Sequence, residues 1–173
     1  MGYEGSWSGM RRYLEQDMLA EPLRGRVRYN CPSGVNLYEF QRFEICVDGR
    51  SIKSFSYDGV RSHLQRHGML PKPPSNGSMN EEMWDYWRQC AEIEGDVSME
   101  DRTEYTDGEF ADALEQYRLQ DIHTSLASDN PIVRMFAVLD RRVGKRTLEK
   151  LKDEIDRQPE WLQFFYRLRL GAA

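Results

Sequence analysis

Apolar residues recur in this chain at helical spacing near both ends and at strand spacing in between. Met10, Tyr13, Leu14 and Met18 fall near a 3.6 period and predict a first helix over residues 8–19, capped by Ser8 and ended by Pro22 and Gly25. Arg26 to Tyr29 alternates and predicts a short strand. Cys31-Pro-Ser-Gly34 is a turn, and Leu37 to Val47 is a second strand. Asp48-Gly49 is a strong two-residue hairpin signal. Such a loop sets Ile45 opposite Ile52, Glu44 opposite Lys53 and Phe40 opposite Tyr57. Phe43, Ile45, Val47 and Ile52 then face the core, and Glu44 and Lys53 face solvent.

The remaining periodicity is helical. Residues 58–67 form a short helix between Asp58 and Gly68, followed by the Pro-rich loop 71–77. Asn80 caps a helix running to about Ile93, with Met83, Trp84, Trp87, Cys90 and Ala91 as its buried stripe. Residues 92–107 are acidic and loop-like. Thr106 or Asp107 caps a helix ending near Ser125.

The most apolar helix starts at the cap Asn130 and at Pro131. It carries Ile132, Met135, Phe136, Leu139 and Val143 on one stripe and closes at a left-handed Gly144. Residues 147–156 and 159–170 give two further helices, the last with Pro159 in its first turn. The pattern is an α+β fold. An N-terminal helix and a three-stranded antiparallel sheet pack on a C-terminal helical half. The organisation is a single domain over 1–173, with helix and sheet in 8–57, a variable helix and loop region in 58–105 and the helical half in 106–173.

Composition narrows the classes. Charged residues make up 31% of the chain and mean hydropathy is −0.76; no apolar run approaches a membrane span. The N-terminus has no apolar signal core, and Cys31, Cys46 and Cys90 are odd in number and widely spaced. The expectation is a cytoplasmic protein with reduced thiols and no membrane association. The net charge of −5 is unevenly placed. Residues 76–130 hold 15 acidic against 3 basic residues, and residues 131–173 hold 6 against 10. The acidic middle fits a basic protein partner or the chain's own basic ends. Overall acidity makes nucleic acid an unlikely partner. The Arg142-Val-Gly-Lys145 turn has a helix-turn-helix outline, but Glu149, Asp153, Glu154 and Asp156 would repel phosphates.

Asp140, Arg141, Arg142, Lys145 and Arg146 crowd the end of the apolar helix and are the candidate residues for an anionic ligand. Asp140 lies among apolar residues and needs a cation. On a continuous helix Arg141 and Arg142 point about 100° and 200° away, so Arg167 or Arg169 of the last helix is the expected partner in a structural ion pair. Trp161, Phe164, Phe165 and Tyr166 span both sides of that last helix and suggest a homodimer interface. His63 and His67 stand at i,i+4, a spacing that suits two metal ligands but lacks a third, so no metal or other cofactor is assigned. No glycine-rich phosphate loop, nucleophile elbow or Cys/His metal framework is present.

Asn130-Pro-Ile-Val-Arg134, Leu139-Asp-Arg-Arg-Val-Gly-Lys-Arg146 and Phe165-Tyr-Arg-Leu-Arg-Leu170, with Leu23-Arg-Gly-Arg-Val27 and the strand ending at Asp48-Gly49, carry a family resemblance. The chain resembles a small uncharacterised bacterial protein family that includes integron gene-cassette proteins. The resemblance implies a bacterial cytoplasmic protein and no particular chemistry. Three function classes follow: a non-enzymatic binding or protein-interaction module that self-associates; a small-molecule or phosphoanion binder or enzyme using the basic cluster near Asp140; and a nucleic-acid accessory protein.

Overall fold

The computed structural model describes residues 6–31, 42–75 and 80–172. Helix α1 (Trp7–Arg12) continues as a wider π turn through Tyr13–Met18, and its cap is Ser6 rather than Ser8, accepting from the Gly9 amide at 3.2 Å. Strands β1 (Val27–Asn30), β2 (Phe43–Val47) and β3 (Arg50–Phe55) form one antiparallel sheet in that order. Helices α2 (Tyr57–Arg66) and α3 (Glu81–Asp96) follow, then α4 (Asp107–Leu119), α5 (Ile122–Leu126), α6 (Pro131–Leu139), α7 (Lys145–Leu151) and α8 (Glu160–Gly171). The α+β class, with an N-terminal helix, a three-stranded antiparallel sheet and then helices, is as the pattern predicts.

Every residue of α6 is buried, which is why it is apolar at every position but Arg134. Val27, Tyr29, Phe43, Ile45, Val47 and Phe55 form the inner face of the sheet. Phe110 of α4 stacks on Phe43 at 4.4 Å and meets Phe136 of α6 edge-on at 5.4 Å, so an aromatic column joins sheet to helices. The α4–α5 segment, expected as one helix, breaks at Gln120 because Asp121 caps a new one, accepting from the His123 and Thr124 amides. Thr106 and Glu109 close a reciprocal capping box on α4.

The hairpin turn is the two-residue type expected. Asp48 and Gly49 have φ of 50° and 81°, and Val47 pairs with Arg50 and Cys46 with Ser51. Gly49→Ala is therefore expected to destabilise by about 1 kcal/mol, read as a lower denaturation midpoint at unchanged slope. Beyond that point the expected register is wrong. A bulge at Ile52 puts Ile45 opposite Lys53, Glu44 opposite Ser54 and Phe43 opposite Phe55. The expected Phe40–Tyr57 pair falls on Phe40, outside the described residues, as do 37–41 of the expected second strand.

The bulge turns Lys53 and Phe55 inward. Phe55 becomes fully buried and Lys53, expected in solvent, is 8% exposed. Its Nζ donates to the Thr103 carbonyl and lies 5.0 Å from the Trp161 ring centre and 5.2 Å from that of Tyr105. One carbonyl and the faces of the rings replace part of its hydration. Burial pulls its pKa below the ordinary lysine value.

On α3 the buried side chains are Met83, Tyr86 and Cys90, packed with Leu70 as a small separate cluster. Trp84, expected in the core, is 62% exposed, and the Arg61 guanidinium lies 4.0 Å over the Trp87 ring. Tyr86 takes the inward position that the spacing assigned to the tryptophans.

Candidate functional site

The central feature is where α6 stops. The helix ends at Leu139, and Asp140 is its C-cap with extended backbone (φ −72°, ψ 139°). Asp140 forms an isolated antiparallel bridge with Leu19. The Ala20 amide donates to the Leu139 carbonyl at 2.9 Å, and the Arg141 amide donates to Met18 at 2.8 Å. The N-terminal segment thus competes for backbone groups that a longer helix would have used internally. Gly144, expected as a left-handed C-cap, instead stands before α7 with φ −79°.

This ending decides the partner of Asp140, which is 1% exposed. Its Oδ1 accepts from the Arg142 amide at 2.7 Å, and its Oδ2 accepts from Arg142 Nη2 at 2.7 Å and from the Tyr117 hydroxyl at 2.5 Å. Arg142 Nε also donates to both carboxylate oxygens at 3.1 Å. The expected pairing with Arg167 or Arg169 is corrected: rotation of 100° per residue does not apply once the helix has ended, and a carboxylate readily turns back on an amide two residues on. Arg167 lies at the surface, 3.8 Å from Asp156. Arg169 is buried at 6% exposure, and its Nη2 donates to the Val143 carbonyl at 3.3 Å. Asp140 and Arg142 use each other and are structural.

The same crossing of segments opens a cleft of about 390 Å³. One wall is the turn at Glu21–Leu23, the other is the 141–148 segment, and Arg169 of α8 lines it as well. Four cations line it: Arg24, Arg141, Lys145 and Arg169. Glu21 is the one carboxylate among the described lining residues. Arg24, Arg141 and Lys145 are exposed and stand in no ion pair among the described residues. The buried Nε of Arg169 has no hydrogen-bond partner. Burial lowers the pKa of that guanidinium and the charge of Asp140 opposes the shift, but an arginine so placed stays charged.

Of the five residues expected at a ligand, the structure brings Arg141 and Lys145 to this cleft and commits Asp140 and Arg142 to each other. Arg146 is exposed outside the lining. Arg24 and Arg169 complete the set. Arg169 was expected to partner Asp140, and Arg24 was not among the expected ligand residues.

A family model described as the SF0329 protein family matches residues 6–170. The chain belongs to this family. The SF0329 match spans both walls of the cleft, from Glu21 and Arg24 to Arg169. No curated protein and no solved structure matches the chain.

Other expected residues lie elsewhere. On α8, Phe165 and Tyr166 are buried inside the same chain, and Trp161 Nε1 donates to the Tyr105 hydroxyl at 3.1 Å. Phe164 alone of the four expected interface residues is exposed, at 38%. Phe165, Tyr166 and Trp161 of α8 are thus engaged within the chain, Trp161 on the Tyr105 loop. The rings of His63 and His67 are 4.2 Å apart, and His63 Nδ1 lies 3.3 Å from Thr103 Oγ1. Among the described residues no group of three His, Cys, Asp or Glu is placed to hold a metal. Arg134, buried in α6, uses its donors on Glu100 at 2.5 Å, Ser128 O at 2.7 Å and Gln158 at 2.9 Å, which ties three loops to the core.

Proposed function

We propose that the protein is a non-enzymatic binding module that holds a small anion, a phosphate or carboxylate group, in the cleft between Arg24, Arg141, Lys145 and Arg169. The observation that carries this reading is the excess of four cations over one carboxylate around a single cleft, one cation being a buried arginine with an unsatisfied Nε. An anion would accept charge-assisted hydrogen bonds from the exposed Arg24, Arg141 and Lys145 and offset the mutual repulsion of the cations. A bacterial cytoplasmic setting, like that of the integron cassette proteins the sequence resembles, fits three cysteines in the free form.

At constant ionic strength, phosphate at 100 times its Kd is expected to stabilise the fold by about 2.7 kcal/mol, or about 5–10 °C in Tm. The double variant Arg141→Ala/Lys145→Ala should lose that shift. A melting temperature no more responsive to phosphate than to chloride would remove the reading.

Self-association, the interaction expected of α8, is better supported on α3, where Trp84 is 62% exposed. Sedimentation should then show dimer that Trp84→Ser abolishes; monomer at high concentration in the unaltered protein would dismiss it.

A further inference from the structure

The cleft is larger than an anion needs and is continued by a second one. Its volume of about 390 Å³ is that of about thirteen waters, well beyond a phosphate group. Apart from the cations, Glu21 and Gly144, the lining is apolar, formed by Ala20, Pro22, Val143 and Leu148. A neighbouring cleft of about 300 Å³ shares Lys145 and Leu148 with it and reaches Leu170 at the end of α8. The charges in this second cleft are balanced differently. Lys152 Nζ donates to both oxygens of Glu149, at 2.9 and 2.8 Å. The unpaired cations therefore stand in the first part of a two-part groove, with Lys145 and Leu148 at the junction, and the far part presents Leu170 beside a neutralised pair.

We propose that the groove binds a single-headed amphiphilic anion, an organic phosphate or carboxylate whose head sits among Arg24, Arg141, Lys145 and Arg169 and whose compact apolar body lies along Leu148 toward Leu170. This inference rests on the anion-binding reading above and adds the nature of the rest of the ligand. In the second cleft Lys145 already belongs to the head site and Lys152 is paired with Glu149, so a second anionic group meets no further unpaired cation there and extended polyanions fit less well than a monoester. The apolar body gains by leaving water against leucine, where an inorganic anion gains nothing.

Calorimetric titration of the full chain at fixed pH and ionic strength tests this with inorganic phosphate, phenyl phosphate, pyrophosphate and vesicles containing phosphatidic acid. Phenyl phosphate is expected to bind about tenfold more tightly than inorganic phosphate. Leu170→Ser, at a half-buried position, should bring the two affinities within about twofold of each other. Equal affinities in the unaltered protein would overturn the amphiphile and leave the anion site standing. Pyrophosphate binding more tightly than phenyl phosphate would overturn it in favour of a polyanion. Binding to the vesicles without binding to phenyl phosphate would replace the compact ligand with a lipid surface. Absence of binding to all four would overturn this inference together with the reading it rests on.

Discussion

Asp140→Ala is expected to destabilise the protein by about 3–5 kcal/mol, the scale for removing one partner of a buried charged pair. The carboxylate is fully buried and holds four groups: the Tyr117 hydroxyl, the Arg142 amide and two donors of the Arg142 guanidinium. Removing it leaves the Tyr117 hydroxyl buried without its acceptor and frees the turn that follows α6. That turn also carries the bridge to Leu19 and one wall of the basic cleft, so the loss is not confined to one contact. Arg167→Ala serves as the control. Its side chain is 60% exposed, and a change within about 0.5 kcal/mol is expected. Chemical denaturation with both variants measures the difference. An Asp140→Ala loss no larger than that of Arg167→Ala would mean that the Tyr117–Asp140–Arg142 cluster does not hold the crossing together.

A second large effect is expected in alkali. Burial pushes the hydroxyl pKa of Tyr105 and of Tyr166 up to about 12. Tyr29 and Tyr117 are raised further, first by burial and then by the charges of Glu15 and Asp140 respectively. A phenol whose folded pKa lies above its unfolded one gives full stability below the unfolded value, about 10, and loses it as pH rises toward the folded value. Each of the four tyrosines then withdraws about 1.4 kcal/mol per pH unit above 10. Together they remove about 6 kcal/mol by about pH 11, comparable to the whole stability of a small domain. Lys53 acts in the opposite sense. Its lowered pKa makes its contribution grow as pH rises from its folded value to about 10.5, but it is one group against four. Cooperative unfolding is therefore expected near pH 11, with tyrosinate absorbance and loss of far-ultraviolet ellipticity at one midpoint. Tyr166→Phe should raise that midpoint. Tyrosinate absorbance complete while the ellipticity is still native would show that these rings are open to solvent.

The sequence carried the parts of this structure that local chemistry decides. Asp48-Gly49 named its turn because only a few residues accept positive φ at both positions. Asn80, Thr106 and Asn130 named their helix starts because their side chains cap the amides that follow. What stayed hidden depends on partners far away in the chain. In Arg50-Ser-Ile-Lys-Ser-Phe55, Ile52 and Phe55 cannot both face inward without an irregularity. The strand buries Phe55 fully, which brings Lys53 inside, where Thr103, Tyr105 and Trp161 receive it. No local pattern near Lys53 announces those three.

The end of α6 shows the same limit. The apolar run through Val143 reads as one helix, but Met18 and Ala20, either side of the Leu19–Asp140 bridge, take over the backbone groups of Leu139 and Arg141. From that single displacement follow the Arg142 partner, the turn before α7 and the cleft. Arg141 and Lys145 were legible as part of a basic cluster. Arg24 and Arg169 were not, because only the crossing of three segments places them beside it.

The claim that this crossing builds an anion site is tested most directly by a phosphate titration of the isotopically labelled protein, followed amide by amide in heteronuclear NMR spectra at constant ionic strength. The expected result is saturable shifts grouped at residues 20–24, 141–148 and 169, with one dissociation constant and with loss of the response in Arg141→Ala/Lys145→Ala. Shifts scattered over surface lysines and arginines without saturation, or a saturable group centred elsewhere in the chain, would contradict it.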